Sequence, residues 1–574
     1  MSLMRRLRIA RGEEPADLVL RNARVVNVCS GEIYASDVVI ADGRVVTIGE
    51  GYQGQEERDL SGRYLMPGLI DGHMHLESTM MVMGEFARTV VPRGTTTVVI
   101  DPHEFANVLG IAGIRYALNS AHGVPLNVYV MLSSCVPASP LESPWRPLPA
   151  ADLLPLLDEP GVLGLAEMMD VAGVLHGDPQ VLAKIEATRE RGRVVDGHAP
   201  GVCGRALCTY AAAGIQSDHE STTAAEAREK LRLGMWLMIR EGSAARNLEA
   251  LLPLVQELHP TRAFFVTDDR DPIDLCTRGH IDSMVRTALN YGLDPIEVIR
   301  LASYNAAQYF HLRDCGAIAP GYRADLLVVT DLRAFTIEAV YKDGQLVAEQ
   351  GEPLFTVVPS QSAELADITG TIRIAPVGLE DLRLPGYTGP AMVIGVEAGQ
   401  ITTRRLIEPV AAQDGYILTD PERDLLKLVV VERHHGHRRI GLGLVKGFGL
   451  RAGAIASSVA HDAHNLVVAG ASDPDILQAI AVIREIGGGF AVVANGTTLA
   501  TLPLPIGGLV SPQPAKELAA QLRALDRAAA ALGCRLEHPF MTLSFLSLSV
   551  IPELKLTDQG LVDVQAAQLV AVQS

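Results

Sequence analysis

The chain has 574 residues, 48% hydrophobic and 20% charged, with a formal net charge of −18. That length exceeds one hydrophobic core and predicts a large domain with at least one companion, while the composition excludes a disordered chain. The negative charge repels a nucleic-acid backbone or an anionic membrane, so no nucleic acid, no membrane and a small neutral or cationic substrate are expected. Seven cysteines, at 29, 135, 203, 208, 276, 315 and 534, form no Cys-x-x-Cys pair. Reduced thiols in a cytoplasmic protein follow. Met1 to Arg11 is basic, but Gly12-Glu13-Glu14-Pro15 supplies no apolar signal-peptide region, and no window reaches the length of a membrane span.

From Asp17 to Leu65 short alternating runs such as Val38-Val39-Ile40 are joined by turns such as Asp42-Gly43, an all-β pattern. Eight β-prone runs then alternate with helical stretches: Gly68 to His75, Thr95 to Glu104, Leu126 to Ser134, Val162 to Met169, Arg193 to His198, Gly214 to Glu220, Met235 to Glu241 and Ala263 to Asp269. Pro179 to Arg191 and Ala224 to Leu233 read as amphipathic scaffold helices between them. Eight such repeats over about 200–250 residues predict an α/β fold, a (β/α)8 barrel with its active site at the strand C-termini. Residues 321–353 return to the all-β style, so 1–65 and 321–358 are expected to form one small split β-sandwich around a barrel at 66–320. Residues 359–574, with helices expected at Asp475 to Glu485 and Pro514 to Leu532, predict an additional α/β or α+β domain. Gly487-Gly488-Gly489 lacks the phosphate-loop ending and reads as a hairpin turn.

The ionisable residues cluster at the predicted strand ends: His73 and His75, Asp101, His103 and Glu104, Glu167, His198, Asp218, His219 and Glu220, Arg240 and Glu241, Asp268 and Asp269. His73 and His75, one residue apart on a strand, project to the same side. Four histidines with several carboxylates suit two divalent ions sharing a carboxylate and a hydroxide. Burying that many ionisable groups without a metal costs several kcal/mol each.

Taken together, His73-Met-His75, His198, His219 and Asp268 resemble the metal-ligand pattern of the amidohydrolase superfamily. The segments Asp71 to Ser78, Asp101 to Glu104, Gly197 to Gly201, Ser217 to Glu220, Arg240 to Ser243, Thr267 to Asp269 and Ser458 to Asn465 resemble the bacterial adenine deaminase family within it. Where the best-known superfamily members carry a carboxylated lysine, the fourth strand offers Glu167, a carboxylate that can bridge directly.

The resemblance implies hydrolytic deamination of adenine by a metal-held hydroxide, with manganese or ferrous iron, zinc being possible in preparations, in a homodimer. It assigns His73, His75 and Asp268 to one ion, His198 and His219 to the other, and Glu167 to both. Asp268 would also relay a proton to the leaving amine, with His103, Glu104 and Glu220 as candidate ring-nitrogen acids. Arg240 and Glu241 are expected at purine edges, Met168 and Met169 at a pocket wall, and Asp218 and Asp269 behind ligand imidazoles. His434-His435-Gly-His437 reads as a surface cluster, and His461-Asp-Ala-His464 as a lid over the mouth. Two alternatives stay open: another amidohydrolase reaction, on a cyclic amide or an N6-substituted purine, and a metal-stabilised scaffold without catalysis.

Overall fold

The computed structural model describes residues 2–357 and 368–573; the expected boundary at 358–359 lies outside the described residues. An amphipathic helix, Leu3–Ala10, precedes a nine-stranded sheet that draws on both sides of the barrel. Tyr64–Pro67, the last strand before the barrel, pairs antiparallel with Leu326–Asp331, the first after it, with Leu65 opposite Val328. Leu20, Val25, Val38, Ile40, Leu65, Leu326 and Val328 share one core, which is why segments some 260 residues apart in sequence form one unit.

The barrel strands are β1 (Leu69–Met74), β2 (Thr95–Ile100), β3 (Asn127–Leu132), β4 (Val162–Met168), β5 (Val194–Gly197), β6 (Ser217–Asp218), β7 (Trp236–Arg240) and β8 (Ala263–Val266). Each is followed by at least one helix, and the parallel pairing runs from β1 to β5 and from β6 to β8. Backbone hydrogen bonds sew the two seams: Asp268 N–H donates to the His73 carbonyl at 3.0 Å, and Gln216 N–H to the Val195 carbonyl at 3.0 Å. The strands are β-branched and apolar because both faces are covered. Inside, Ile70, Val99, Met131, Ala166, Met238 and Phe264 fill the cylinder below the mouth. A Cβ at Gly72 would meet Phe264 at 2.4 Å, so only glycine lets the end of β1 lie against that ring.

The C-terminal unit is α+β. Its eight-stranded sheet is antiparallel except where Gly389–Val396 runs parallel to Ile440–Lys446, and it carries the helices Asp473–Glu485 and Ala515–Ala531. Gly487 to Gly489 corrects the hairpin expectation: it joins the helix Asp473–Glu485 to the strand Gly489–Ala494. At Gly489, φ is +120°, and a Cβ would stand 1.9 Å from the Leu502 carbonyl oxygen, so the run serves a tight helix-to-strand turn.

Candidate metal centre and active site

The strand ends bring the expected ligands into one buried cluster. His73 Nε2 and His75 Nε2 stand 3.3 and 3.0 Å from Asp268 Oδ1. Glu167 divides its oxygens between two histidine groups. Oε1 is 3.3 Å from His75 Nε2, while Oε2 is 2.8 Å from His198 Nδ1 and 3.1 Å from His219 Nε2. Asp268 holds φ at +56°, a strained conformation for a non-glycine residue that turns its carboxylate back toward β1.

These residues fit divalent metal ions. His73 Nε2 is buried with no hydrogen-bond partner, at a cost of about 1–3 kcal/mol if left so, and it faces Asp268 beside His75 Nε2, while His198 Nδ1 and His219 Nε2 converge on Glu167. His75 Nδ1–H donates to the Asp101 carbonyl at 3.0 Å, which leaves the Nε2 lone pair free for an ion. An all-nitrogen and oxygen donor set without thiolate suits a first-row divalent ion. His103 lies beside Glu167 Oε1 at 3.5 Å with Nδ1 3.0 Å from Asp101 Oδ2, close enough to join the first cluster.

Arg240 is buried and bidentate on Glu220, with Nη2 3.0 Å from Oε2, and its Nη1 also donates to Asp268 Oδ2 at 2.9 Å. Burial alone would raise the Glu220 carboxyl, but Arg240 together with His198 and His219 outweighs it and holds Glu220 ionised. Arg240 therefore lines the cavity as a clamp on two carboxylates. Glu241 points elsewhere: it is outside the cavity lining and accepts from Leu248 N–H at 3.2 Å. Met169 lines the cavity, whereas Met168 is fully buried with its sulfur 3.8 Å from Cys135 Sγ, core filling. Asp269 lines the cavity and accepts from Ser78 Oγ. Asp218 accepts from the backbone of Ala199 and Glu220 and from Lys230 Nζ, so it fixes the loops carrying His198 and His219 without touching an imidazole.

The C-terminal unit closes the mouth with His461, Asp462, Ile401, Phe545 and Leu548. His461 Nδ1–H lies 3.2 Å from Glu104 Oε1 and Asp462 Oδ1 3.6 Å from His103 Nε2. Burial alone would depress His461, but Glu104 together with Asp269 and Asp462 outweighs it and lifts the imidazole to about 9, and the protonated His461 in turn helps keep Glu104 ionised against the opposing pull of burial. Glu104, His461 and His464 sit close enough to suggest a third metal site. The hydrogen bonding argues otherwise: His464 Nδ1 accepts from Ala460 N–H at 3.1 Å, so its proton is on Nε2, facing Glu104 Oε2 at 3.7 Å. We read the group as a buried ion pair with a neutral histidine beside it.

The surface expectation for the other histidine cluster is corrected at His434. That ring is buried and its Nε2–H donates to the Ala463 carbonyl at 2.7 Å, beneath the loop that carries His461. His435 and His437 are exposed, His435 stacking on Trp145 at 4.9 Å.

Further positioning residues also emerge. Tyr210 Oη donates to the Met168 carbonyl at 2.6 Å and accepts from His198 N–H at 3.0 Å, tying β4 to β5. Asp71 accepts from the Thr267 backbone and pairs with His280 Nε2 at 3.0 Å, locking the ends of β1 and β8 together. Asp71 could be suspected from its place in the His-x-His motif; His280 and Tyr210 stand in unremarkable helical segments.

A barrel whose strand ends gather four histidines, two bridging-capable carboxylates and no thiol is that of a metal-dependent hydrolase. Residues 64–347 match the amidohydrolase family, and residues 400–568 match the adenine deaminase C-terminal domain. The chain is 50% identical over 565 residues to adenine deaminase 2 of Carboxydothermus hydrogenoformans, covering 98% of both chains. It is 47% identical over 568 residues to the adenine deaminase of Desulfatibacillum aliphaticivorans, again with 98% of each covered. The Dehalococcoides mccartyi strain 195 adenine deaminase is 48% identical over 569 residues, with 99% of each covered. The chain belongs to the adenine deaminase family of amidohydrolases.

Proposed function

We propose that this chain hydrolyses adenine to hypoxanthine and ammonia, using two divalent ions held by His73, His75, Glu167, His198, His219 and Asp268. The observation that carries the metal reading is Glu167, whose two oxygens face separate histidine groups within one buried cavity. The choice of adenine rests on the full-length likeness to the adenine deaminases. When bound, such ions supply a water acidic enough to attack C6 at neutral pH, lowering its pKa from about 15.7 toward about 7.

The chain's own residues handle the protons. Asp268, with Oδ2 fixed by Arg240, presents Oδ1 toward the ligand cluster, where it takes the proton of the attacking water and delivers it to the departing amine. Water adds its oxygen to C6, a proton goes to a ring nitrogen, and the C6–N6 bond breaks as the amine leaves as ammonia. Of the three candidate acids, Glu220 has both oxygens held by Arg240. Glu104 faces the cavity with Oε2 lacking a hydrogen-bond partner, and its protonated neighbour His461 is the source of the proton, which the ionised carboxylate takes up at Oε1 and passes to the ring nitrogen. We assign the ring-nitrogen contact to the Glu104–His461 pair. His103, next to the ligand cluster, then supports Glu167.

The reading extends to manganese or ferrous iron as the working ions, a homodimer, a cytoplasmic location, and a division into 1–65 with 321–358, 66–320 and 359–574. Among the described residues no helix is long and apolar enough to cross a membrane. The test is direct: protein loaded with manganese or iron, given adenine, should form hypoxanthine and ammonia in equal amounts. Absence of turnover with both metals, in protein carrying two ions per chain, sinks the proposal.

A further inference from the structure

The cavity above the ligand cluster has a volume of about 30 Å³, space for about two waters at the ~10–15 Å³ each requires. A two-ring base is several times larger, so a cavity this narrow holds no purine until something moves. On one side lies a second, wider hollow of about 310 Å³, bounded by the loops after β5, β6 and β7 and by residues 399–402 and 551–552 of the C-terminal unit. The two cavities share Glu220, Arg240, Ala244, Ala245 and Ile401. Glu220 and Arg240 are locked to each other and are not free to move. Ala244 and Ala245 are small. Ile401 is the one large apolar side chain of the five.

Ile401 sits in the turn between the strands Gly389–Val396 and Thr403–Val410, half-buried against the apolar group Phe545, Leu548 and Ile551, with Ala244 of the barrel on the same group. Its backbone is fixed: Lys555 Nζ donates to the Ile401 carbonyl at 2.8 Å and to the Phe545 carbonyl at 2.9 Å. The ammonium thus brackets the two ends of the ceiling, while the Ile401 side chain reaches the partition between the cavities. Resting on the adenine reading for its substrate, we propose that Ile401 is the gate through which the purine passes and sets the largest N6 substituent admitted.

The gate is tested by size in both directions. Ile401→Ala should raise kcat/KM for N6-methyladenine relative to adenine by at least tenfold, and should speed the stripping of bound metal by EDTA at least fivefold. Ile401→Trp should slow both adenine turnover and metal stripping at least tenfold with metal content unchanged; Ile401→Phe replaces it if the larger ring disturbs folding. Both variants within twofold of wild type in the substrate ratio and in the stripping rate would overturn the gate. Metal stripping needs no turnover, so it tests the gate even where adenine proves not to be the substrate.

Discussion

The floor and the ceiling of the cavity are built from different materials. The floor is ionisable and comes from strand ends: His73, His75, Glu167, His198, His219 and Asp268 are all buried, and each carboxylate is within 3.3 Å of a histidine nitrogen. The ceiling, apart from His461 and Asp462, is apolar and comes from loops of the C-terminal unit, with Phe545, Leu548 and Ile551 packed beneath Ile401. Strands hydrogen-bonded on both sides hold charges to the tolerance that metal ligation and proton transfer require. Loops hung from a second unit can exclude water and still yield to an incoming base. The molecule separates a rigid chemical surface from a compliant cover, and each should fail in its own way when altered.

The largest effect is expected on the floor. Glu167→Gln should lose about one metal equivalent per chain and drop kcat by more than the ~10⁴-fold that acid–base catalysis alone supplies. Elemental analysis beside the adenine assay checks it, and unchanged metal content would contradict the bridging role. A ceiling change should act differently. Phe545→Ala removes a ring stacked 4.5 Å from His461, so it should lower stability by up to ~3–5 kcal/mol and loosen His461, reducing kcat/KM while metal content stays intact. Loss of metal in that variant would erase the distinction between floor and ceiling.

The smallest effect is on stability. Burial pushes the Lys555 ammonium down to about 7, against about 10.4 in an unfolded chain. The folded state binds this proton more weakly, so the favourable contribution of neutral Lys555 is complete above about pH 10 and is lost as the pH falls toward 7. Urea midpoints of wild type relative to Lys555→Met should therefore decline from pH 10 to pH 7 and level off below. A difference independent of pH over that window would show that the bracket holding Ile401 and Phe545 stays charged throughout.

Legibility followed the range of the interactions. The barrel strands lie within a few residues of the sequence expectation, because a β-branched run ending in an ionisable residue is a local pattern: Val162 to Met169 was expected and β4 is Val162–Met168. The residues of the buried histidine–carboxylate cluster were readable for the same reason, each standing at the end of such a run. Glu241, at the end of β7 like the others, was expected at the substrate and instead anchors Leu248, since one residue of register sends a side chain to the other face. His434 looked like a surface histidine in a polar run, yet the chain folds the loop of His461 over it.

The sequence by itself determined the alternation of strands and helices, the return of the β style after residue 320, and the kinds of donor collected at the strand ends. Hydrophobic period and residue chemistry are properties of neighbouring positions. Only the tertiary structure decided that Arg240 clamps Glu220 and Asp268, that His461 pairs with Glu104 across more than 350 positions, and that Ile401 divides two cavities. Those outcomes depend on which surfaces two separately cored units bury against each other, and no local pattern along the chain encodes that choice.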